Sequence, residues 1–112
     1  MALSIDIETI EQVQVVHLVG DIDGATAPDA QAAIVGVAGP DCKIVLNMAG
    51  VSYMSSAGLR LLLVVYRNIK GQGGEVVLAG LPEDLKDTME MTGFLDFFQY
   101  RDTLDAGLAA LL

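Results

Sequence analysis

An α/β domain is the fold class the sequence predicts: an N-terminal β-hairpin, then alternating helices and strands forming a mixed sheet of about five strands with about four helices. Three observations carry that expectation. Leu3–Thr9 alternates apolar and polar residues and Val13–Gly20 is rich in β-branched ones, as half-buried paired strands are. Cys42–Met48 (CKIVLNM) and Glu75–Ala79 (EVVLA) are nearly continuous apolar runs of strand length, the mark of parallel strands covered on both faces. Leu59, Leu62, Leu63 and Tyr66 recur at the i, i+3, i+4, i+7 spacing of one helical face.

Taken in order, Glu11 and Gln12 form the turn between the first two strands. His17, the only histidine, lies in the second strand between Val16 and Leu18 and reads as a sheet-face or strand-end residue, since no partner carboxylate or cysteine is patterned around it as for a base. Gly20–Thr26 (GDIDGAT) is the strand exit, and if it stays extended, Asp21 and Asp23 point the same way. Two readings stand for these acids. They are turn chemistry and a favourable anion before a helix that Thr26 caps and Pro28 opens, or they are an acidic contact patch for a basic partner. Two carboxylates alone are too few ligands for calcium. Alanine-rich Ala27–Val37 forms the first helix, ended by Gly39 and Pro40.

Gly71, Gly73 and Gly74 stop the second helix. Leu81–Asp84 starts a third, carrying Leu85, Thr88, Met89 and Thr92 before Gly93, with Met89 and Met91 expected as core filler. Phe94–Tyr100 (FLDFFQY) reads as a short last strand, and Asp102 or Thr103 caps a terminal helix through Leu111. The parallel connections should be right-handed crossovers.

Composition narrows the function. The 112 residues suit one domain, 1–112, without linker, repeat or low-complexity segment. A formal charge of −9, from 15 acidic and 6 basic residues, repels phosphate backbones and anionic lipid, so no nucleic acid and no membrane partner is expected. The longest strongly apolar run, Leu61–Val65, is too short to span a bilayer, and the start MALSIDIE lacks the features of a signal peptide. The protein reads as cytoplasmic. Cys42 has no second cysteine to pair with and no metal-ligand spacing around it, and it reads as a small core residue.

The stretch Val51–Tyr66 (VSYMSSAGLRLLLVVY) is the candidate site. Ser55 or Ser56 falls at the helix N-cap, where a hydroxyl accepts from a free backbone N–H of the first turn. Its neighbour then has no such duty and is free to face a partner. Gly58, in the first turn, lets another surface approach the backbone closely.

These residues resemble the STAS domain family, the anti-sigma factor antagonists, along essentially the whole chain. GDIDGAT stands where the family has Gly-Glu-Leu-Asp-x-x-Thr, IVLNM precedes the loop, and SYMSSAGLRLLL followed by a Gly-Gly-Glu strand carries the closest likeness. The resemblance implies a small α/β partner switch, phosphorylated by a GHKL-type serine kinase that is also an anti-sigma factor and restored by a metal-dependent phosphatase. It places the phosphoacceptor on Ser56, the first serine of the family's Asp-Ser-Ser/Thr-Gly-Leu loop. The family aspartate falls on Ser55, a possible second acceptor, and the second hydroxyl residue on Ala57. Asp21, Asp23 and Thr26 then match the partner-facing turn, beside Met54, Ser55, Ala57 and Gly58.

No catalytic residue and no cofactor is expected: the chain has no Gly-x-Ser-x-Gly elbow, P-loop or metal cluster. Besides the switch, a STAS-like scaffold subunit of a transporter or chemosensory complex stands as the alternative. A third reading, an enzyme with Ser56 as nucleophile, is opposed by those same absences and by the place of the sole histidine in an early strand. In a fourth, both serines merely cap and solvate a helix end.

Overall fold

Residues 2–112 are described by the computed structural model. Glu11 and Gln12 both take positive φ, 47° and 73°, the twist by which a two-residue turn returns a strand antiparallel to itself. Strands β1 (Leu3–Ile10) and β2 (Val13–Ile22) therefore form a hairpin, with Ile10 opposite Val13 and Leu3 opposite Gly20. There follow α1 (Ala27–Val37), β3 (Lys43–Met54), α2 (Ser56–Gly71), β4 (Glu75–Ala79), α3 (Glu83–Met91), a 3-10 turn (Phe94–Phe97), β5 (Gln99–Arg101) and α4 (Leu104–Leu111). The strands lie in chain order, β1-β2-β3-β4-β5, antiparallel in the first pair and parallel in the rest. The expected mixed sheet with four α-helices is thus the one observed.

Strand alternation divides the core between two faces. Val16, Leu18, Ile44, Leu46, Met48, Val76 and Leu78 face the layer made by α1, α2 and α3, meeting Ile34, Leu62, Val65, Ile69 and Met89. Val13, Val15, Val45, Val77 and Ala79 face α4, whose Leu111 closes the smaller cluster. Two-sided burial is why β3 and β4 read as unbroken apolar runs. Gly107 eases the close seat of α4, since a Cβ there would lie 3.3 Å from both Ala79 Cβ and Val45 Cγ1.

Four expectations are corrected. The third strand does not end at Met48 but continues to Met54, because its second half pairs with the end of β2 through register irregularities at His17/Val19 and Gly20/Asp21. Phe94–Tyr100 is not one strand: Gly93, at φ 79°, turns the chain into the 3-10 turn and leaves only Gln99–Arg101 to pair with β4. Met91 is not core filler, since it ends α3 at 87% exposure while Met89 is fully buried. The buried stripe of α2 is centred on Gly58, Leu61, Leu62, Val65 and Ile69, with Leu59, Leu63 and Tyr66 on its flank. A segment apolar at every position from Leu61 to Tyr66 offers periodicity no single stripe to select.

Candidate functional site

The parallel pairing of β2 and β3 brings their last residues, Ile22 and Met54, into register. Two strand-to-helix turns therefore lie side by side at one end of the sheet. They are tied together by the Ser55 amide, which donates to the Ile22 carbonyl at 2.9 Å.

In the β3–α2 turn, Ser55 holds the N-cap position with extended backbone (φ −83°, ψ 178°), but its side chain makes no capping bond. Its Oγ is sealed from solvent and has no hydrogen-bond partner. The expectation that one serine caps while the other is spare is thus corrected: neither hydroxyl caps. Ser56, the first residue of α2, is exposed, so the accessible hydroxyl of the pair is the one the family likeness selects. Gly58 is buried, and a Cβ there would lie 2.9 Å from the Ile22 carbonyl oxygen and press on Met54 Cγ. The surface that approaches its backbone is the domain's own. Met54 is half-buried against the core, and Ala57 is half-exposed beside Ser56.

The β2–α1 turn is organised differently. Asp21 is the penultimate residue of β2, while Asp23 lies beyond the strand, so the segment does not stay extended and the acids do not act as a pair. Asp23 Oδ1 accepts from the amides of Ala25 (2.9 Å) and Thr26 (3.1 Å) and from the Thr26 hydroxyl (3.3 Å). The bond from the Thr26 amide is the main reason its carboxyl sits below the ordinary 3.8, with the Ala25 amide helping and desolvation opposing. Thr26 occupies the N-cap position, yet its hydroxyl turns back, donating to the Asp21 carbonyl at 2.8 Å and accepting from the Asp23 amide at 3.0 Å.

Between α1 and α2 runs an open groove of about 470 Å³, bordered by Gln31 and Ala32 on one side and Ala57, Arg60 and Val64 on the other. Sequence pattern alone does not reveal it. The signals were present in the small residues of α1 and in Arg60 one helical turn after Ser56, but only the packing shows that they share a wall. His17 Nδ1 lies 2.9 Å from Asn47 Nδ2, and Asn47 Oδ1 accepts from the Ala49 amide. The imidazole is therefore occupied at Nδ1 as an acceptor, with Nε2 directed 3.7 Å from Glu8. It is a sheet-face residue, as expected. Among the described residues, no cluster of three or more His, Cys, Asp or Glu side chains is placed to hold a metal, and no helix is long and apolar enough to cross a membrane.

A family model described as the STAS domain matches residues 4–107. The chain belongs to the STAS domain family. The anti-sigma-B factor antagonist of Bacillus subtilis (strain 168) is 28% identical over 108 residues, covering 96% of this chain and 99% of the relative. A crystal structure of an anti-sigma factor antagonist from Mycobacterium paratuberculosis is 29% identical, with a TM-score of 0.84 over 98% of this chain and 94% of that one. The Bacillus cell fate determinant SpoIIAA in its phosphorylated form shares the fold at 18% identity, with a TM-score of 0.71 over 97% and 100%. In this STAS domain the resemblance-selected residues Asp21, Asp23, Thr26, Met54, Ser55, Ser56, Ala57 and Gly58 all lie in the two adjoining turns or at the ends of the strands and helices that the turns join. Of their side chains, Asp23 and Thr26 bond within their own turn, Ser55 Oγ is sealed, and the Ser56 hydroxyl is exposed.

Proposed function

We propose that this STAS domain is an anti-sigma factor antagonist, a regulatory protein and not an enzyme. In this reading it binds an anti-sigma factor that is also a serine kinase while Ser56 is unmodified, and phosphorylation of Ser56 releases it. A metal-dependent serine phosphatase resets the switch. The observation that carries the reading is the exposed, uncommitted hydroxyl of Ser56 at the start of α2, next to a Ser55 hydroxyl sealed from solvent. The names of the relatives support it.

The chemistry is a single group transfer. Ser56 Oγ bonds to the γ-phosphorus of a nucleoside triphosphate, the bond to the bridging oxygen breaks, the nucleoside diphosphate leaves, and the hydroxyl proton passes to a base of the kinase. The product adds about −1.5 to −2 charges near neutral pH. At the start of a 16-residue helix that charge is tolerated by the fold, because free amides and the helix dipole favour an anion there. A partner surface shaped for a neutral hydroxyl has no such compensation. A penalty of about 3 kcal/mol weakens binding roughly a hundredfold.

The test is capture from the native host's lysate with wild type, Ser56→Ala and Ser56→Asp as baits, read by mass spectrometry. The expected result is a serine kinase retained by the first two and lost by the third. Equal recovery of transporter or receptor components by all three baits would overturn the switch. It would favour a scaffold, the reading that the serine in place of the family aspartate at position 55 supports.

A further inference from the structure

Arg60 is the cation left over in this domain's site. Elsewhere Lys70 pairs with Glu75, Lys86 with Asp102 and Glu90, and Arg101 donates to the Tyr100 carbonyl. Lys43 and Arg67 are also without an ion pair among the described residues, but they do not line the groove beside Ser56. Arg60 is exposed and makes no ion pair or side-chain hydrogen bond among the described residues. It stands four residues after Ser56 in the same helix, so the two side chains neighbour each other on one face, in the favourable order with the acidic position N-terminal to the basic one. It also borders the α1–α2 groove, where Gln31 is the other polar side chain and no carboxylate is present. Against the chain's net charge of −9, Arg60 makes that groove a locally cationic concavity.

Building on the reading of Ser56 above, we infer that Arg60 is the internal counter-ion of a phosphate on Ser56. In the unmodified protein the same guanidinium serves the groove, receiving a carboxylate from a partner segment whose apolar side chain seats against Ala32, Ala57 and Val64. Phosphorylation then acts twice. It places a dianion on the contact surface, and it draws the guanidinium, whose planar fork matches phosphate oxygens, away from the partner's carboxylate.

The experiment installs phosphoserine at position 56 by genetic encoding, in the wild-type background and with Arg60→Gln, and follows each phosphate by phosphorus NMR against pH. Arg60 is exposed, so the variant folds, and circular dichroism confirms it. The expected result is a second phosphate pKa lower by about half a unit when Arg60 is present, a gap that closes in about 1 M salt. Superimposable titrations overturn the inference. In the unmodified proteins, Arg60→Gln should bind the captured kinase about tenfold more weakly than wild type, and equal affinity overturns the groove contact. Loss of the kinase by Ser56→Asp with no effect of Arg60→Gln leaves the switch standing without Arg60. Retention of the kinase by Ser56→Asp removes the switch itself, a result independent of both Arg60 measurements.

Discussion

The β2–α1 and β3–α2 turns begin from register-paired residues, Ile22 and Met54, and each uses hydroxyl residues to enter a helix. In the first, Asp23 and Thr26 close every side-chain bond within the turn. In the second, Ser55 Oγ is buried without a partner and Ser56 lies open to solvent. Polar groups that satisfy one another hold the backbone, here through Asp23 Oδ1 and the Thr26 hydroxyl. The β3–α2 turn is instead held by its backbone, through the Ser55 amide on Ile22, and by the packing of Gly58, which leaves a hydroxyl available for chemistry.

The sharpest way to break that contrast is Gly58→Ala. Its methyl group would overlap Met54 and crowd the Ile22 carbonyl, so a loss of about 3 kcal/mol is expected. In a domain of this size, calorimetry should show a midpoint lower by roughly 15 °C. Thr26→Val comes next. Removing the hydroxyl leaves the Asp21 carbonyl and the Asp23 amide without their partner, and urea unfolding should register about 2 kcal/mol.

Asp23→Ala gives a smaller loss with a distinctive pH dependence. Because the folded carboxyl lies below its ordinary 3.8, its stabilisation is fully present above that value and is lost as pH falls through the folded value. Melting curves from about pH 7 down to about pH 2 should show wild type and variant separate at the top of the range and converge at the bottom. A separation that persists at the acid end would mean that the carboxylate's charge does not stabilise the turn. The smallest effect belongs to Ser55→Ala, which should change stability by no more than about 0.5 kcal/mol because no cap bond is lost. Thr103→Ala is its reference, since the Thr103 hydroxyl does cap α4, accepting from the Ala106 amide at 3.1 Å. Its loss should cost about 1 kcal/mol by the same measurement.

The two caps also show how far the sequence could be read. Thr103 and Ser55 look alike as helix-start residues, and the chain alone has no means of showing that one hydroxyl turns to its helix and the other away. Likewise, Gly58 could be read as an opening for another surface, but that the surface is Ile22 and Met54 follows only from where β2 and β3 end. Arg60 was visible four residues after Ser56, yet its unpaired state depends on every carboxylate elsewhere in the fold.

By itself the sequence determined the order and type of nearly every element, the hairpin turn at Glu11–Gln12, and the position of two serines at a helix start. Those features rest on periodicity and backbone preference, which act over a few neighbouring residues. Tertiary structure alone decided that β3 runs on to Met54, that Ser55 Oγ is sealed from solvent, and that Ser56 is the open hydroxyl beside a groove. Each of those outcomes is settled by the position of a donor, an acceptor or an apolar surface on another part of the fold, and local pattern carries no record of such a neighbour.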